Sequence, residues 1–263
     1  MQGATGPTQT AETPAAAKSI RLTRVVFAQG LADLAQRDPD LAGVLATIGP
    51  PPMWARKPGF GTLLHIILEQ QVSLASAQAA YDKLLALGQP LTPERFLTYD
   101  DGLLHAAGFS WQKARYGREL AQVLRAGRLK LHRLSRLDDA QVRQALISVK
   151  GIGPWTAEIY LLMVLRRADA WPLGDLALAL AVQSVKKLGG VANAQELAAI
   201  GAGWRPWRAV AARILWHHYL TQRRRVAPPP PAAPRTRAHP ASPGVRAPQS
   251  PPRPENKTPP DSE

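Results

Sequence analysis

The stretch Leu146-Ile147-Ser148-Val149-Lys150-Gly151-Ile152-Gly153-Pro154-Trp155-Thr156-Ala157 decides how the rest of the chain is read. Apolar residues before it (Ala145, Leu146, Val149) and after it (Ala157, Tyr160, Leu161, Val164, Leu165) recur at helical spacing, and Gly151 and Gly153 interrupt the pattern. The reading is helix, tight hairpin, helix. Glycines at the hairpin let the backbone approach a neighbouring surface, and Pro154 suits the first turn of the second helix, where a missing N–H costs nothing. Unpaired amides at that helix start point outward with the positive end of the dipole, a geometry that holds a phosphate. A glycine-closed turn between two core helices would look the same. About twenty residues on, Trp171-Pro172-Leu173-Gly174-Asp175 adds a broken loop that delivers a carboxylate to the start of an apolar helix.

Working outward, the signals are helical, with almost no strand-like alternation, so the expected fold class is all-α. Phe60 to about Gln70 carries one apolar face; Ser73 caps a second helix that Gly88 ends; Thr92-Pro93-Glu94 starts another. Asp100 and Gly108 bracket a short helix, Ser110 to Gly127 a long basic one, and Asp138 with Gln141 forms a capping box ahead of the hairpin. Asp175 to about Leu188, Ala194 to Ile200 and Trp204 to Leu220 complete the set. Residues 1–18 read as a disordered arm. From about Thr221 the composition changes to a basic tail that holds 13 of the chain's 25 prolines and is expected to stay extended, disordered over 226–263.

The 263 residues carry a net charge of +14, which favours a polyanionic partner such as nucleic acid or an anionic membrane surface. No apolar run reaches the roughly 18 residues that span a bilayer, and the N-terminus lacks a basic-then-apolar leader, so a soluble cytoplasmic protein is expected. Cysteine is absent, which removes disulfides, a cysteine nucleophile and a cysteine-held iron–sulfur cluster. Adjacent His217 and His218 diverge on a helix and make poor metal ligands.

Together the hairpin, the aspartate loop and the tryptophans, in this order and spacing from about Phe60 to Tyr219, resemble the helix-hairpin-helix/Gly-Pro-Asp superfamily of DNA glycosylases, most of all its DNA-3-methyladenine glycosylase II branch. The absence of cysteine disfavours the endonuclease III and adenine-glycosylase branches, which usually carry a cluster. The resemblance implies two helical lobes with a DNA-binding cleft between them: residues 58–168 inserted into a lobe of 19–57 plus 169–225, with Asp175 at the mouth. An extra N-terminal β domain is not expected, since few residues precede Phe60.

The resemblance also implies roles. Asp175 would stabilise the oxocarbenium ion that forms as an N-glycosidic bond breaks, and would handle the attacking water; by itself it is equally a helix N-cap. A backbone-cutting relative needs a lysine four residues after the first hairpin glycine. Trp155 stands there, so a monofunctional enzyme without lyase activity is expected. Trp155 and Trp216 would line the base pocket, where electron-rich rings favour a cationic alkylated purine. Trp54, Trp204 and Trp207 read equally as core. Relatives often place a pocket tyrosine at the site of Ile159, with Tyr160 here on a different face, so the lesion range is not carried over from theirs.

Duplex DNA would be held by the Gly151 and Gly153 amides with Lys150 and Lys113. The gap left by a flipped base would be filled from Glu69-Gln70-Gln71-Val72-Ser73, with Gln71, or Gln70, as the wedge. No cofactor is required, although the carbonyls of Ile147, Val149 and Ile152 correspond to those that hold a Na⁺ or K⁺ ion in relatives. The expectation is a monomeric enzyme that excises 3-methyladenine- or 7-methylguanine-type bases from duplex DNA. The alternatives are a helix-hairpin-helix binding module without chemistry, a glycosylase for other damaged bases, and a glycosylase-lyase. A pure binder needs neither a cleft carboxylate nor a tryptophan pocket.

Overall fold

The computed structural model describes residues 19–226. The arm expected over 1–18 and the tail beyond 226 lie outside them. The described chain is helical, and the only bridged pair of extended residues within it joins Arg21 to Arg167, flanked by Leu22 N–H to Arg166 O at 2.7 Å and Ala168 N–H to Ile20 O at 2.9 Å.

Most of the helices begin where a side chain can take an orphaned amide. Ser73, Thr92, Asp100 and Ser110 accept from the N3 amides of α4 (Leu74–Ala86), α5 (Pro93–Thr98), α6 (Asp101–Ala106) and α7 (Trp111–Arg125), as the sequence predicts. The capping box of Asp138 and Gln141 opens α8 (Asp139–Ile147), and α3 spans Phe60–Leu68. Two further helices, α1 (Arg24–Arg37) and α2 (Pro39–Ile48), occupy a segment for which the sequence reading assigned none. They are capped by Thr23 and by Asp38. After the hairpin, α9 (Pro154–Ile159) widens into a π turn over Tyr160–Leu165, which ends with Arg166 in the left-handed region at φ 57°. The helices α10 (Leu176–Lys186) and α11 (Ala194–Ala202) follow. The last, α12 (Arg208–Val226), starts four residues after Trp204 and runs six beyond Leu220. Pro206 sets the late start, because the residue before a proline is pushed out of the helical region.

Helices α1, α2, α10 and α12 pack on one another, while α3 packs against α4, α7 and α9, with α5 and α6 on α7 and α8 on α9. Arg213 lies wholly buried on α12 and is satisfied without a carboxylate. Its guanidinium donates to Met53 O at 2.6 Å, Ala209 O at 2.8 Å and Leu162 O at 2.8 Å, and stands 5.9 Å from the Phe27 ring. Burial pulls it down to about 10, so it stays charged at neutral pH. Trp204 is core, its indole donating to Asp38 at 2.7 Å.

Candidate active site

Asp175 caps α10, its Oδ1 accepting from Leu178 N–H at 2.8 Å. The same carboxylate receives two indole N–H groups: Trp216 donates to Oδ1 at 3.1 Å and Trp155 to Oδ2 at 3.0 Å. The three residues on which the chemistry was expected to rest, drawn from three separate segments, thus meet at one carboxylate. A carboxylate offers about four acceptor positions. Three are taken, which leaves one on Oδ2 for a water or a sugar cation.

The loop carrying Asp175 is tied to the hairpin. Glu158 on α9 accepts from Trp171 N–H at 2.9 Å and pairs through its other oxygen with Arg143 on α8. Gly174, at φ 83°, turns the loop, and the Asp175 N–H returns to Pro172 O at 3.2 Å. Leu173 and Leu176 stand exposed on either side of the aspartate. Trp155 is half-buried, whereas Trp216 is 8% exposed. Ile159 packs into the hydrophobic core. Beside it Tyr160 is fully buried with no hydrogen-bond partner for its hydroxyl, and burial pushes that group up to about 12.

The hairpin between α8 and α9 closes with Ile152 N–H donating to Val149 O at 3.0 Å. Gly151, at φ 96°, presses on Tyr116, whose ring carbon Cγ would lie 2.3 Å from any Cβ added there. A side chain at Gly151 therefore disturbs the protein itself before it disturbs a ligand. Gly153 has open space around it, and Lys150 is exposed.

The structure assigns different surroundings to two residues read from sequence as DNA contacts. Gln70 does not project freely: its amide donates to Gly151 O and to Thr156 Oγ1, both at 2.9 Å. Lys113 turns its ammonium onto Leu68 O at 2.7 Å, and burial lowers its pKa. Gln71 remains exposed, at φ 56°.

The family model described as HhH-GPD superfamily base excision DNA repair protein matches residues 64–206, more than half of the chain, from within α3 to past Asp175. The chain belongs to this superfamily. Among its relatives is the Bacillus subtilis protein YfjP, assigned by name to the DNA-3-methyladenine glycosylases, 27% identical over 165 residues and 60% of this chain; the chain spans 58% of that protein's length. DNA-3-methyladenine glycosylase 1 of Schizosaccharomyces pombe is 26% identical over 165 residues, covering 61% of this chain and 72% of that protein. Among solved structures, a Bacillus halodurans DNA-3-methyladenine glycosidase matches with a TM-score of 0.61 at 28% identity, over 75% of this chain and 91% of its own. The fold is also that of the S. pombe glycosylase Mag1 in complex with abasic DNA, with a TM-score of 0.66 over 72% of this chain and 95% of the other, at 23% identity. No helix among the described residues is long and apolar enough to cross a membrane.

Proposed function

We propose that this protein is a monofunctional DNA glycosylase that hydrolyses the N-glycosidic bond of alkylated purines in duplex DNA, acting as a monomer in the cytoplasm. The observation that carries the reading is the convergence of Trp155 and Trp216 on the Asp175 carboxylate. As the bond breaks, positive charge grows on the sugar, and a fixed carboxylate close by lowers the energy of that state. Its free position on Oδ2 orients the attacking water. The Trp155 face stacks on the extruded base, and a cationic purine adds a cation–π attraction that a neutral one lacks.

Phosphates are gripped by the amides around Gly151 and Gly153, with Lys150 at the rim, and Gln71 enters the vacated stack. The carbonyls of Ile147, Val149 and Ile152 would supply the oxygen donors for a hard monovalent cation such as Na⁺ or K⁺. When bound, such an ion adds positive charge near the phosphate grip. Val149 O, already accepting one N–H, keeps a second lone pair for it.

The test is incubation with methylated duplex DNA and chromatographic identification of released bases. Release of 3-methyladenine or 7-methylguanine, with an abasic strand left uncut, is expected. Duplex binding without release would turn the reading into that of a binding module. Borohydride added during turnover should trap no protein–DNA adduct, because Trp155 stands where a lyase carries lysine; a strong trapped band would refute the monofunctional assignment.

A further inference from the structure

Residues 68–71 form a turn in which each of the first three positions is tied to a different part of the molecule. Leu68 O accepts the Lys113 ammonium from α7 at 2.7 Å. Glu69, 8% exposed, forms a two-bond pair with Arg56, at 2.6 Å and 3.0 Å. Gln70 reaches Gly151 O and Thr156 Oγ1 across the hairpin. One turn along α7 from Lys113, Tyr116 packs on Gly151, so the same helix braces both the turn and the hairpin. Gln71 then stands exposed in the left-handed region, a conformation that persists in a non-glycine residue only where its surroundings enforce it.

We infer that Gln70 is a positioning residue that sets the wedge turn at a fixed place relative to the phosphate-gripping hairpin, so that a duplex seated on Gly151 and Gly153 meets Gln71 at the base to be extruded. The inference rests on the glycosylase reading above. Its chemistry is simple. The Gln70 amide spends both N–H groups on the hairpin and on the helix that carries Trp155, which links three things that must act on one nucleotide: phosphate grip, wedge and stacking ring. Thr156 is 1% exposed and has no access to DNA, so its bond to Gln70 has no direct contact role to confuse with positioning.

The experiment uses the full chain and a duplex that carries 7-methylguanine beside 2-aminopurine, a base whose fluorescence rises when the neighbouring stack opens. Gln70→Met keeps the side chain's length and removes the amide. The opening signal and single-turnover release should each fall about 30-fold, the loss expected for two net hydrogen bonds. Affinity for undamaged duplex should stay within about twofold, since the hairpin keeps its own closure and its Tyr116 support. Thr156→Val should reproduce part of the loss and Thr156→Ser restore it, with melting curves showing that each variant is folded. The inference is overturned if Gln70→Met opens and excises like wild type, or if undamaged-duplex affinity falls as far as opening does, which would make Gln70 a plain hairpin or phosphate residue. No opening signal from the wild type would remove the base-flipping reading itself, and the inference with it; a normal wild-type signal unchanged in the variants removes the inference alone.

Discussion

Replacing Asp175 with Asn removes one charge and one acceptor from a carboxylate on which three N–H groups converge. As a helix cap alone the change would be nearly silent, since Asn caps about as well as Asp. The indoles alter that expectation. With its oxygen at the Oδ1 position, Asn keeps Leu178 and Trp216 but sets its NH₂ group against the Trp155 N–H; the opposite rotamer opposes two donors instead of one. Losing a bond to a charged group costs roughly 1.5–3 kcal/mol, and partial exposure reduces this to about 1–2 kcal/mol. At about 2–4 °C per kcal/mol for a body of this size, melting should fall by roughly 2–8 °C. Catalysis should fall much further. Single-turnover release of hypoxanthine should drop by about 10² to 10⁴, the range for a positioned acid–base group, and release of 7-methylguanine, a better leaving group, by less. Melting measured by circular dichroism and release measured by chromatography check the two halves separately. Near-normal excision of every lesion by a folded Asp175→Asn protein would refute the catalytic role; an unchanged melting temperature would refute the three-donor geometry.

Gly151→Ala should destabilise the fold, because its Cβ meets Tyr116 at 2.3 Å, whereas Gly153→Ala should leave melting within about 0.5 kcal/mol and weaken binding to any duplex; equal melting losses would contradict the packing. Wild-type affinity for undamaged duplex should fall with salt at a log–log slope near 0.9 per phosphate held, and a flat response would count against DNA binding. Trp155→Ala should cut release of cationic 7-methylguanine more than that of hypoxanthine, by up to about 30-fold if the full cation–π gain of about 2 kcal/mol is lost; an equal loss would show the ring acts without regard to charge. Trp216→Ala is the poorer probe, since emptying a buried tryptophan site costs about 3–5 kcal/mol of stability. Burial works to raise the Asp38 carboxyl, yet its hydrogen bonds from Lys186, Trp204 and Leu41 outweigh it and hold the group below the usual value of 3.8. A depressed carboxyl contributes stability above its unfolded pKa and loses it as pH falls through the folded one. The melting gap between wild type and Asp38→Asn should therefore shrink from pH 6 to below about pH 4, and a constant gap would contradict this.

The parts of the fold legible in the sequence are those fixed within a few residues. Ser73, Thr92, Asp100, Ser110, Asp138 and Asp175 cap helices because the amides they satisfy lie three positions on. Thr23 and Asp38-Pro39 send the same signal for α1 and α2 and would have revealed both. The π widening at Tyr160 left no trace, since an all-apolar run fits either spacing. At the site, Asp175, Trp155 and Trp216 could be named from the family resemblance, but not the bonds joining them. Gln70 and Lys113 read as DNA contacts because the partners that hold them, Gly151 and Leu68, lie 81 and 45 positions away. Only the folded chain brings those groups together.

Arg213 bears on how the molecule assembles. Its three acceptors belong to the segment before α3, to the π turn and to α12, and its charge is stranded in an apolar interior unless all three are in place. A chain with the Met53 segment or the π turn undocked leaves part of a buried guanidinium without its acceptor, at a cost of about 1–3 kcal/mol. Partly assembled forms are therefore poorly populated, and the segments around Met53, Leu162 and Ala209 should gain and lose hydrogen-exchange protection together as a single cooperative unit.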